Sequence, residues 1–129
     1  MKILDSDHWI ALLRGTLDLR GRVAADEELA ITAISVGELV YGAERSHRPA
    51  EKLLELDTLL ATIVIVPYDD IAAHRFGRLK MMLEQRGERL DDADLQIAAT
   101  VLSLGVPLVT HNKRHFGRIP GLTLEDWLV

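Results

Sequence analysis

The sequence predicts an α/β domain, with a central, mostly parallel sheet of four to five strands flanked by helices. Three observations predict it. Short apolar runs recur at residues 2–5, 29–32, 62–66 and 107–110. Segments with apolar residues at helical spacing separate them, and a helix between strands is what parallel pairing requires. The runs are near-continuously apolar and partly β-branched, as in TIVIV at 62–66, which marks strands covered on both faces.

The first strand, KILD at 2–5, ends on Asp5. Ser6 is placed to cap a helix over 7–14, and Gly15 stops it. A short polar helix is expected over 17–26. LAIT at 29–32 is the second strand. Ser35 then opens a helix to about residue 45, with Val36, Leu39, Val40 and Ala43 at helical spacing. Pro49 begins another, to about residue 62. Its leucines, Leu53, Leu54, Leu56, Leu59 and Leu60, cover more arc than one sheet face needs, so part of it is a candidate subunit or partner contact. Pro67 ends the third strand, and Asp69 or Asp70 caps a long helix whose inner face is Ala72, Phe76, Leu79 and Leu83. Gly87 breaks that helix. Asp91 or Asp92 starts the next, and Gly105 closes it. The fourth strand, PLVT at 107–110, precedes a turn of helix at 113–116. A last strand near 122–124 leads to Trp127, expected to pack on the sheet.

Composition narrows the function. At 129 residues the chain reads as a single domain, 1–129, able to bury its core without staples. It has no cysteine, which excludes a disulfide framework, a thiol nucleophile and Cys-based zinc, and fits a cytoplasmic setting. The N-terminal MKILDSDHW has no signal-peptide character, and no stretch is long enough for a membrane helix. A net charge of −5 is the wrong sign for coating nucleic acid through bulk charge. A nucleic-acid enzyme still fits if cations and a local basic rim attract the substrate. Arg75, Arg78, Lys80, Arg86, Arg89, Lys113, Arg114 and Arg118 are rim candidates, each also readable as an ordinary solvated charge.

Four polar residues carry the functional reading. Asp5, Glu38, Asp94 and Asn112 lie at strand ends or in the opening turns of helices. In an open α/β sheet those places meet outside the carboxyl ends of the strands. Three carboxylates gathered there would raise one another's pKa. A hard cation with oxygen ligands, Mg²⁺ or Mn²⁺, resolves that conflict. Each residue has a plainer reading. Asp5 could be a helix cap. Glu38, three residues after Ser35, could complete a capping box. Asp94 could simply favour the helix dipole beside Asp91 and Asp92. Asn112 could be a turn residue. His111 and His115, four apart, have a zinc-ligand spacing if helical but lack a clustered third ligand. His8, His47 and His74 read as isolated, surface or half-buried residues.

The segments ILDSDHWIALLRG, ISVGELVYGAERS and DLQIAATVLSLGVPLVTHNKRHFGRIPGLTLEDW resemble, in this order, the successive motifs of PIN-domain endoribonucleases. They are most similar to the VapC toxins of toxin–antitoxin pairs. The resemblance implies a PIN-like α/β fold and cleavage of RNA with Mg²⁺ or Mn²⁺. It also implies a homodimer and inhibition by a cognate VapB-like antitoxin. By position, Asp5, Glu38, Asp94 and Asn112 match the family's acidic quartet, with Asp5 and Asp94 as metal ligands and Ser6, Asp7 and Thr110 in support. Ser6 would orient Asp5 by a hydrogen bond. Two departures stand out. The usual D-T-N start reads Asp5-Ser6-Asp7, so Asp7 could add a carboxylate near the metal. Many relatives carry aspartate where Asn112 stands, which implies a second metal held weakly or only with substrate. Two other classes compete: a catalytically silent PIN-like binding module, and a phospho-acceptor receiver-like domain. The latter needs an aspartate directly after the third strand, where Asp69 lies three residues on and past a proline.

Overall fold

The computed structural model describes residues 1–129. Five strands, β1 (Lys2–Leu4), β2 (Leu29–Thr32), β3 (Val64–Val66), β4 (Leu108–Val109) and β5 (Leu124–Glu125), form one sheet in the order β3-β2-β1-β4-β5. Every pairing is parallel. All carboxyl ends therefore point to one edge, and β1 sits at the centre with β2 and β4 beside it.

Six helices connect and cover the strands: α1 (Ser6–Leu13), α2 (Ala33–Glu44), α3 (Pro49–Leu60), α4 (Asp70–Gln85), α5 (Asp92–Leu104) and α6 (Lys113–Phe116). The alternation of side chains along each strand divides the core. Ile3, Ala30 and Leu108 face a cluster containing Leu79 and Leu83 of α4 and Leu95, Ile97 and Ala98 of α5. Leu4, Ile31 and Val109 face the other way, onto Trp9 of α1, Leu39 of α2, Leu56 of α3 and Trp127. Both sheet faces are thus covered, which is why the strand sequences are apolar throughout.

The structure corrects several expectations. Residues 17–26 form turns, not a helix. Asp18 Oδ1 accepts from Arg20 N at 2.9 Å, and Gly21 has φ of 78°. This local aspartate turn offers the backbone an alternative to helical bonding. Ser6 does not cap α1. Asp5 does, by accepting from Ser6 N. Helix α2 begins two residues before Ser35, because Thr32 is its cap and accepts from Ser35 N at 3.1 Å. The last strand lies at Leu124–Glu125, slightly beyond its expected place. His8, expected at or near the surface, is wholly buried. So is Leu56, at 2% exposure, whereas Leu54 of the same helix is 68% exposed.

Candidate active site

Strand β1 delivers Asp5 to the carboxyl edge of the sheet, at the start of α1. Its carboxylate has two fixed donors. Oδ1 accepts from Ser6 N at 2.9 Å, and Oδ2 accepts from the Thr110 hydroxyl at 2.9 Å. Thr110, fully buried just past β4, in turn accepts from Asn112 N at 3.0 Å. The Asn112 side-chain amide lies 3.1 Å from His115 Nδ1, which is 3.5 Å from Asp94 Oδ2. A continuous polar chain therefore runs from Asp5 through Thr110, Asn112 and His115 to Asp94. Asp94 occupies the first turn of α5, where the helix dipole favours negative charge.

Glu38 completes the arrangement from α2. The capping-box reading of this residue fails, because Thr32 and not Ser35 begins the helix. Glu38 lies in the second turn, free of any capping bond, and is the most exposed of the three acids. The Ser6 hydroxyl is buried without a hydrogen-bond partner of good geometry. The support that Ser6 gives Asp5 comes instead from its backbone N–H.

The three carboxylates are shifted in the same direction, with burial the first cause for each. Burial raises the pKa of Asp5 against the Thr110 hydrogen bond, and Asp7 and Asp94 raise it further. Burial raises Glu38, with added repulsion from Asp5 and Asp94. Burial also raises Asp94, while His115 pulls it back. Three acids are gathered here with one basic side chain, His115, beside Asp94.

No three His, Asp or Glu side chains are gathered tightly enough to form a finished metal-ligand set. The donor chemistry nevertheless fits Mg²⁺ or Mn²⁺. The donors are hard oxygens, they repel one another, and Mg²⁺ commonly binds through one or two carboxylates while keeping several waters. Zinc does not fit. His111 precedes α6 and is not helical, so the helical i, i+4 spacing is absent. His111 Nδ1 turns to Asp126, while His115 turns to Asn112 and Asp94.

Asp7 lies beside the site but is engaged elsewhere. Its Oδ1 accepts from His8 Nδ1 at 2.8 Å and its Oδ2 from His111 N at 3.1 Å. Sequence reasoning missed His115 as the link between Asn112 and Asp94. Its spacing of three from Asn112, across one short helical turn, is the signal that could have found it.

A groove of about 330 Å³ leads away from Glu38 between α1, α2 and α3. Ile10, Leu39 and Leu56 give it apolar walls, and Arg14, Arg45 and Lys52 stand at its rim. A second, more open groove of about 560 Å³ continues along Leu13, Leu54 and Leu59.

Known proteins match this architecture. The PIN domain family model matches residues 2–122. A tRNA(fMet)-specific endonuclease VapC from Salmonella typhimurium is 35% identical over 99 residues, 77% of this chain and 75% of the relative. The ribonuclease VapC2 of Haemophilus influenzae strain Rd is 34% identical over 101 residues, 78% of this chain and 76% of the relative. Among solved structures, VapBC2 of Rickettsia felis bound to a promoter DNA fragment aligns with a TM-score of 0.89 at 28% identity, covering 98% of both chains. DNA-bound VapBC of Salmonella typhimurium aligns with a TM-score of 0.89 at 31% identity, covering 98% of this chain and 97% of that one. Fold and sequence agree, and the chain belongs to the PIN-domain family of VapC ribonucleases.

Proposed function

We propose that this VapC-family protein is the toxin of a toxin–antitoxin pair and hydrolyses RNA phosphodiester bonds at the edge formed by Asp5, Glu38, Asp94 and Asn112. The observation that carries the reading is the gathering of three carboxylates at one sheet edge, each with its pKa raised, first by burial. Asp5 and Asp94 would hold Mg²⁺ or Mn²⁺, with Glu38 facing them from α2. When bound, such an ion supplies Lewis-acid activation of water and charge neutralisation at the phosphate.

The chain's own residues then have distinct tasks. Asp5 is held in one orientation by Ser6 N and Thr110 Oγ1, so it meets a cation with little further loss of freedom. Glu38, uncommitted to any cap, would accept a proton from an attacking water. Asn112 is neutral and adds a polar contact without adding repulsion. Lys113 and Arg114 of α6 follow Asn112 directly and are exposed. They form the nearest basic rim for an RNA backbone, which a chain of net charge −5 needs locally.

The partner reading rests on the two grooves. A VapB-like antitoxin would lay an apolar segment along Leu13, Leu54 and Leu59 and continue toward Glu38. There an arginine could pair with the carboxylates in bidentate fashion. The expected homodimer remains part of this proposal. Leu54→Glu should weaken antitoxin capture, whereas the buried Leu56 is unsuited to that test because it belongs to the core.

The direct test is cleavage of a defined RNA, with an initiator tRNA as the first substrate tried. Cleavage should require Mg²⁺ or Mn²⁺, stop on chelation, and be lost in Asp5→Ala. Growth inhibition that persisted in a folded Asp5→Ala protein would instead favour the silent binding module.

A further inference from the structure

The exit of β4 carries both Thr110 and Asn112, yet β4 itself is only two residues long. Three successive backbone N–H groups show what fixes it. Thr110 N donates to Glu125 O at 2.8 Å, His111 N to Asp7 Oδ2 at 3.1 Å, and Asn112 N to Thr110 Oγ1 at 3.0 Å. Two of these three acceptors lie outside the acidic quartet and its threonine.

Those outer acceptors belong to one connected network. His8 Nε2 accepts from Trp127 N at 3.0 Å. The ring proton therefore sits on Nδ1, which donates to Asp7 Oδ1 at 2.8 Å. Asp126 Oδ2 accepts from His111 Nδ1 at 2.8 Å, while its Oδ1 accepts from Leu128 N at 2.9 Å. The Asp126 side chain is 4% exposed and that of His8 is 0% exposed. The rings of His8 and Trp127 meet edge to face at 6.1 Å. Buried polar groups with every partner satisfied make rigid, geometrically specific connections. None of Asp7, His8, His111 and Asp126 has a task in the reaction itself. Asp126 and Trp127 also lie beyond residue 122, where the family match ends.

We propose that the C-terminal segment Glu125-Asp126-Trp127 is a latch that sets the geometry of the active site. Through Trp127–His8–Asp7 on one side and Asp126–His111 on the other, it fixes the backbone of 110–112. Thr110 is thereby aimed at Asp5, and Asn112 at the site. Asp7, His8, His111 and Asp126 are positioning residues. The proposal rests on the reading of Asp5 and Asn112 as site residues.

The latch is tested with the full chain as wild type, His111→Ala, Asp126→Ala and the double variant. His111 is an exposed side chain, so His111→Ala should fold even where Asp126→Ala does not. With RNA and Mn²⁺, each single variant should lower kcat about tenfold to a hundredfold, the range for outer partners of ligating groups. KM for RNA should stay within about twofold. The double variant should be no worse than the more damaged single one, because both remove the same bond. Amide exchange at His111 and Asn112 should quicken at least about tenfold, with that of Ile3 in β1 unchanged. An unchanged kcat in His111→Ala overturns the proposal, as does unchanged exchange at His111. So does a raised KM at constant kcat, which would make His111 an RNA contact. A wild type that cleaves no RNA with any divalent metal would overturn the nuclease reading instead. The exchange measurement separates the two failures because it needs no activity.

Discussion

Two clusters of aspartate and histidine flank the same three residues, Thr110 to Asn112, and their electrostatics run in opposite directions. On one side Asp94, Glu38 and Asp5 are all pushed above the usual carboxylate range, first by burial. On the other, burial also works to raise Asp126, but hydrogen bonds from Leu128 N and His111 outweigh it and hold the carboxyl low. Similar residue types give opposite outcomes because the ratio of donors to carboxylates differs. The Asp126 cluster is internally satisfied. The Asp5 cluster sets three carboxylates against one histidine, His115, which among them pairs only with Asp94. A protein edge in that condition stabilises an added cation, which is the property a metal-dependent nuclease needs.

The largest expected effect comes from Glu38→Gln, which removes one charge from the strained cluster and keeps the side chain's size. RNA cleavage should fall on the order of a hundredfold, the scale for losing one preorganised group at a reacting centre. Stability should change by less than about 0.5 kcal/mol, as for a surface change away from any cap. Full activity in a Glu38→Gln protein would remove Glu38 from the site. A loss of stability matching the loss of activity would return it to a structural role.

The second effect is on metal and pH. Asp5, Glu38 and Asp94 hold protons more tightly folded than unfolded, with ordinary values of 3.8 for the aspartates and 4.5 for the glutamate. From those values up to their raised folded ones, the native state binds more protons. Metal-free stability should therefore fall as pH rises through that window. Asp126 and Glu125 have lowered values. Their stabilisation is present above the ordinary carboxylate pKa and is lost as pH falls through the folded one. A divalent cation must displace the protons of the strained cluster, so the rise in Tm with Mn²⁺ should grow with pH. The stabilisation free energy behind that rise should approach about 2.7 kcal/mol at a hundredfold excess over Kd. Asp94→Asn should flatten both trends, as followed by thermal melts across pH with and without Mn²⁺. A Tm indifferent to Mn²⁺ at every pH would refute the metal reading.

Much of this was legible in the sequence, and the failures have physical causes. Strand positions and the convergence of Asp5, Glu38, Asp94 and Asn112 followed from apolar periodicity and chain order, which local sequence encodes. The expected helix at 17–26 failed because the Asp18–Arg20 bond and the positive φ of Gly21 are local competitors that composition does not weigh. The capping box failed because Thr32 ends a strand and begins a helix at once, and the strand pattern claimed it first. The burial of His8 was invisible. It depends on Trp127, 119 residues away, and on a parallel edge strand whose partner no local pattern names. His115 was noticed only as half of a zinc spacing, since its partners lie across the β4 exit in space.

The smallest effect concerns Thr32, on which the freedom of Glu38 depends. Thr32 Oγ1 accepts from Ser35 N at 3.1 Å, and its hydroxyl donates to Ser35 Oγ at 3.2 Å. With that cap in place, the start of α2 needs nothing from Glu38. Thr32→Ser keeps the hydroxyl and loses a methyl. Thr32→Ala loses the cap as well and leaves a buried N–H unpaired. Comparing the two isolates the cap, at about 1 kcal/mol by chemical denaturation. In Thr32→Ala, Ser35 becomes the next residue able to begin the helix, and a Ser35–Glu38 capping box is then its natural replacement. That would draw Glu38 away from Asp5 and Asp94. Cleavage should fall severalfold in Thr32→Ala but not in Thr32→Ser, and Glu38→Gln added to Thr32→Ala should cost less activity than it costs the wild type. Equal losses from Glu38→Gln in both backgrounds would show that the cap and the site are independent.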